Sequence, residues 1–108
     1  MLYFKILYNF IIMEKQLVYE KSDKIVTRKV AGETILVPIK GRLADMQKIF
    51  SLNEIGDFIW NMIDGKRSTK EICKEIISRF DVDEKVAEDD LNIFIRDLVK
   101  EGLIRLVE

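Results

Sequence analysis

The sequence predicts an α+β fold, with a three-stranded antiparallel sheet followed by a three-helix bundle. Three observations lead there. Between Ile25 and Ile39 the chain is rich in β-branched residues, grouped on both sides of Ala31-Gly32-Glu33. Beyond Asn53 the apolar residues recur at helical rather than strand spacing. Residues suited to helix N-caps, Asn53, Ser68 or Thr69, and Asp83, stand ahead of the three helical patterns.

The elements follow in order. Lys15 to Lys24 is mixed and polar, and reads as a lead-in. Ile25, Val26, Thr27 and Val30 form one strand, and Thr34 to Val37 with Ile39 its hairpin partner. Pro38 donates no backbone hydrogen bond, so it belongs at a strand end or an open edge. Gly41 to Met46 is a loop, and Gln47 to Phe50 a short third strand. Asn53 then caps a first helix with Glu54 and Asp57 in its first turn, where the helix dipole favours acids. Ile55, Phe58, Ile59 and Met62 give it an apolar face, and Gly65 is its stop signal. The second helix carries Ile72, Cys73, Ile76, Ile77 and Phe80, and ends at Asp81-Val82-Asp83. The third carries Ala87, Leu91, Phe94, Ile95 and Leu98, and Gly102 closes it before an apolar tail, Leu103 to Val107. Three helices with one apolar face each must pack on one another and on the hairpin. Short connections make this a helix-turn-helix unit with a β wing on its N-terminal side.

Composition narrows the chemistry. In 108 residues the hydrophobic share of 48% and charged share of 34% describe a folded chain, not a disordered one. With no His, imidazole acid–base catalysis, Ser-His-Asp and Cys-His triads and His-zinc sites are excluded. The single Cys73 excludes an internal disulfide and a Cys-cluster metal site, and suits a reducing cytoplasm. No nucleophile–base pair is apparent, so an enzyme, a catalytic residue, a bound cofactor and a metal are not expected. A net charge of −1 argues against nucleic-acid binding.

Met1 to Met13 is strongly apolar but too short to span a membrane, which takes about 20 residues. Lys5 interrupts it, and no small-residue cleavage site follows, so it makes a poor signal peptide. Two readings stand. Residues 1–12 are an upstream extension before a natural start at Met13, or they form a real element that packs on the domain or on a second copy in a homodimer. The domain organisation expected is an extension and lead-in over residues 1–24 and one domain over 25–108.

The string Leu52-Asn53-Glu54-Ile55-Gly56, then Trp60, then Ile63-Asp64-Gly65, resembles the pyrroloquinoline quinone biosynthesis protein D (PqqD) family. So do Thr69 to Ile72, Phe80-Asp81-Val82, Asp89 to Leu91 and Gly102-Leu103-Ile104. No single element is specific; their order and spacing carry the resemblance, which covers roughly residues 25–107. It implies a winged helix-turn-helix fold, also called the precursor-peptide recognition element. It implies a partner as well: the leader segment of a ribosomally made peptide, presented to a modifying enzyme, often a radical S-adenosylmethionine protein. In the family the leader adds as a strand beside the third β-strand and lies against the third helix.

Two segments suit that role. Gln47, Lys48, Ile49 and Phe50 form the expected edge strand, whose free N–H and C=O groups can pair with a peptide. On the third helix, with Leu91 at zero and about 100° per residue, Ile93 falls near 200°, opposite the core stripe. Arg96 and Lys100 lie on its side. Ile93 then reads as a groove floor with basic rims for an acidic amphipathic leader; alone, it would be an ordinary scattered surface Ile. Other features are structural. Trp60 lies about 140° from Ile55 on the first helix and is expected half-buried at a helix junction. Cys73 is expected as a small buried hydrophobe. The acids Asp81, Asp83, Glu84, Glu88, Asp89 and Asp90 lack the glycine and terminal glutamate of a calcium loop, and serve as caps and a solvated face.

The alternative function is a winged-helix DNA-binding regulator. From Glu84 to Glu101 the third helix carries six acids against three bases, the wrong sign for phosphate contacts.

Overall fold

The computed structural model describes residues 16–39 and 49–107. Eight elements occur there: β1 (Tyr19–Lys21), β2 (Ile25–Val30), β3 (Glu33–Pro38), β4 (Phe50–Leu52), α1 (Glu54–Met62), α2 (Thr69–Phe80), α3 (Glu84–Lys100) and β5 (Ile104–Leu106). The expected α+β order holds: a three-stranded antiparallel sheet, β2-β3-β4, precedes three helices. The expected loop at Gly41 to Met46, the apolar residues 1–12, and Gln47 and Lys48 lie outside the described residues.

The β2-β3 hairpin closes at Val30 opposite Glu33. Both turn residues have positive φ, Ala31 at 51° and Gly32 at 85°. That is the two-residue type I′ geometry, whose twist matches the flanking strands. Pro38 ends β3, beyond the reach of β4, which pairs only with Thr34 to Leu36. Its missing N–H therefore costs no ladder bond. The third strand is displaced from the expected Gln47–Phe50: it runs Phe50 to Leu52, directly into the helix cap.

Each helix begins on the cap that the sequence predicts. Asn53 Oδ1 accepts from Gly56 N at 2.8 Å. Ser68 and Glu71 form a reciprocal capping box at the start of α2. The Asp83 side chain accepts from Lys85 N at the start of α3. Between α1 and α2, Asp64 Oδ1 accepts from Lys66 N and Arg67 N, both at 2.9 Å, and folds the connection tightly.

The core gathers Leu36 and Leu52 from the sheet, Ile59, Trp60 and Ile63 around α1, Ile72, Cys73 and Ile76 from α2, and Leu91, Ile95 and Leu98 from α3. Phe58 and Phe80 meet edge to face at 5.3 Å, closing α1 against the end of α2. Trp60 corrects its expectation: it is 1% exposed, and its indole N–H donates to Thr27 Oγ1 at 3.1 Å. The Lys21 ammonium sits 5.2 Å from its ring, and burial lowers that amine's pKa.

A second sheet is the other correction. The polar lead-in and the apolar tail, read separately from the sequence, pair as β1 and β5, with Glu20 opposite Arg105. Arg105 Nε donates to Glu20 Oε2 at 2.8 Å across the pair. Gly65 N donates to Tyr19 O and Thr69 N to Leu17 O, so this segment also fastens the α1-α2 connection. Tyr19 is 8% exposed and belongs to the core.

Candidate functional site

Of the two edge strands of the three-stranded sheet, β4 runs directly into the cap of α1 and packs against that helix. In a two-residue hairpin the closing pair exchanges hydrogen bonds, and bonded pairs alternate along the strands. Val30–Glu33 is that pair, so Glu33, Ile35 and Val37 face β2 with their backbone groups. Thr34 and Leu36 therefore bond to β4, at Leu52 and Phe50. The N–H and C=O of Ser51 are left pointing away from the sheet. Among the described residues no strand pairs with that edge.

Beside the edge lies a cleft of about 340 Å³ between β4, the first turn of α1 and the outer face of α3. Ile55, Ile59, Ile93 and Phe94 give it an apolar floor, with Ser51 and Leu52 at the strand side. Gly56 allows a close approach at the base of the floor. A Cβ there would lie 3.1 Å from the capping Asn53 Oδ1 and 3.5 Å from Phe94 Cζ. The acids Asp90 and Asp97 also line the cleft, one turn to either side of Ile93.

The expected site residues divide accordingly. Ile93 is 36% exposed and lines the cleft, as its position opposite the core stripe predicts. Phe50 is half-buried at the start of β4, and Ile49 precedes it, strongly exposed. Gln47 and Lys48 lie outside the described residues. Arg96 and Lys100 are exposed on α3 but do not line the cleft, whose charged residues among those described are the two aspartates. Sequence reasoning missed Ser51, Ile55, Asp90, Phe94 and Asp97 as site residues. A signal existed for the aspartates: they stand three residues before and four after Ile93, hence on its face of the helix.

Cys73 lies apart from the cleft, buried on α2. Burial, with Glu88 and Glu84 nearby, pushes its thiol up to about 11, so it is no nucleophile at neutral pH. No helix among the described residues is long and apolar enough to cross a membrane.

Comparison with known proteins places this geometry. The family described as coenzyme PQQ synthesis protein D (PqqD) matches residues 33–104, two-thirds of the chain. Among solved structures, TbiB1 in complex with the TbiA(beta) leader peptide is similar at a TM-score of 0.67 and 26% identity, over 80% of this chain and 94% of that one. A lasso peptide synthetase B1 complexed with its leader peptide superposes at a TM-score of 0.69 and 15% identity, over 81% and 96%. No curated protein matches the chain.

Proposed function

The chain belongs to the PqqD family, and from that membership we propose that it is a non-catalytic domain that binds the leader of a ribosomally made precursor peptide. One observation carries the reading: the edge of β4, which no strand among the described residues pairs, borders an apolar cleft whose far wall is α3. A leader added as a strand beside Ser51 gains backbone hydrogen bonds that depend little on sequence. Its inward side chains reach Ile93 and Phe94, where burial contributes about 25 cal/mol per Å² before binding costs. Ile49 and Phe50, with Gln47 and Lys48 before them, would guide the strand into the edge. Arg96 and Lys100, outside the cleft, would meet leader carboxylates beyond it. The bound leader would be presented to a modifying enzyme, of which a radical S-adenosylmethionine protein is the type proposed. The solved structure at 26% identity, TbiB1 in complex with a leader peptide, supports the reading.

The test uses a displayed library of random peptides panned on the whole chain, and the best recovered peptide titrated into two variants. Ile93→Asp should weaken binding at least tenfold and melt within a few degrees of the parent. Leu91→Asp should unfold the domain, because Leu91 is wholly buried and a charge there has no partner. If Ile93→Asp binds the peptide like the parent, or melts like Leu91→Asp, the cleft is not the site.

A further inference from the structure

Resting on the leader-binding reading, we infer that the leader taken by this chain carries a Lys or Arg two positions from its apolar anchor, held by Asp90 and Asp97. Arg96 and Lys100 suggest an acidic leader from the sequence alone, but the cleft has the opposite sign. Among the described residues its lining includes two carboxylates and no cation. Three aspartates elsewhere have a basic partner, Asp57 with Lys29, Asp64 with Arg67 and Asp89 with Lys85, and Asp83 serves as a helix cap. Among the described residues the carboxylates of Asp90 and Asp97 have none. Two unpaired negative charges beside an apolar floor form a site for a cationic head on an aliphatic stem, which is the shape of Lys and Arg.

Helix geometry sets the spacing. At about 1.5 Å per residue, Asp90 and Asp97 stand roughly 4.5 and 6 Å along the axis from Ile93. Alternate residues of an extended strand, which share a face, advance by about 6.6 Å. For a leader strand laid along α3, a side chain seated over Ile93 puts its neighbour two positions away beside one aspartate or the other. A long cation covers the remaining offset. The intervening residue faces away from the cleft and is left unspecified.

The experiment pans the same random peptide library on the whole chain and on a double variant, Asp90→Asn with Asp97→Asn. The variant's melting curve checks that it is folded. The parent should enrich peptides with a large apolar residue and a Lys or Arg two positions away. The double variant should keep the apolar preference and lose the basic one. The best basic peptide should bind the double variant roughly three- to tenfold more weakly, a gap that shrinks as salt is raised, as expected for wet ion pairs. Apolar enrichment with no basic preference would overturn the inference and leave the leader-binding cleft standing. Enrichment of Asp or Glu, in place of Lys or Arg, two positions from the apolar residue would overturn it. Recovery of no apolar peptide at all would overturn the cleft along with it.

Discussion

Thr34 Oγ1 donates a 2.6 Å hydrogen bond to Asp57 Oδ1, joining the middle strand of the sheet to the first turn of α1. Thr34 is almost fully buried, and Lys29 Nζ stands 3.5 Å from the other carboxylate oxygen. The Thr34 hydroxyl is the chief reason the Asp57 carboxyl is held below its ordinary pKa of 3.8, with the Lys29 charge adding to it. A carboxyl whose pKa is depressed by folding stabilises the fold above its unfolded pKa. That contribution disappears as the pH falls through the lower folded value. Thr34→Val should therefore cost about 1–2 kcal/mol at pH 7. The gap between variant and parent should narrow as the pH drops below about 4. Urea melts of both proteins at pH 7 and pH 3 check this; a gap of equal size at both would detach the hydroxyl from the carboxylate.

The hairpin turn contains a local conflict that can be relieved. Ala31 has a φ of 51°, where its Cβ is crowded, and Gly32 beside it at 85° is not penalised. Asn is the residue type favoured at the first position of this turn. Ala31→Asn should raise stability by about 0.5–1 kcal/mol and leave the hairpin register unchanged. Thermal melts measure the gain, and a lower melting temperature would count against the type I′ assignment.

What the sequence made legible, and what it hid, follows from the range of the interactions. The caps at Asn53, Ser68 and Asp83 act within three residues, and each helix begins where they stand. Ile93 was legible for the same reason, since a helix wheel needs only local periodicity. The β1-β5 pair was not, because Glu20 and Arg105 are 85 positions apart and each strand is three residues long. Such strands are too short to show alternation. Trp60 was misplaced by the choice of origin. Ile55 is exposed beside the cleft, and the buried arc of α1, Gly56, Ile59 and Trp60, lies roughly 90° round from it. The charge of the cleft was missed because rim residues were chosen by proximity to Ile93 on the solvent side, whereas β4 and α1 approach from the other.

The β1 segment should prove part of the folding unit. Tyr19 is packed in the core, and its carbonyl accepts from Gly65 N at 3.0 Å. Tyr19→Ala should cost about 3 kcal/mol. A chain beginning at Ile25 should lose more, because Ile104, Leu103 and Trp60 then lose the cover and pairing that residues 17–22 provide. Denaturant midpoints of the two variants test it. A chain from Ile25 that unfolds at the parent's midpoint would make the second sheet an ornament of the fold.

The last prediction separates the backbone of β4 from its side chains. Ser51 directs its N–H away from β3, while its hydroxyl donates to Glu33 Oε1 at 3.2 Å on the exposed face. Ser51→Pro deletes that N–H and no bond of the β3 ladder, and proline is tolerated on an edge strand in this orientation. The fold should survive with a loss of about 1 kcal/mol or less. Peptide affinity should fall at least tenfold, since an incoming strand loses its central hydrogen bond and meets the pyrrolidine ring. Ser51→Ala, which removes only the hydroxyl, should bind within about twofold of the parent, as expected for a surface change. Titration of one peptide into both variants decides the matter. Equal weakening by Ala and Pro would assign the contact to the serine side chain. Full binding by Ser51→Pro would mean that the peptide does not join the sheet at this edge.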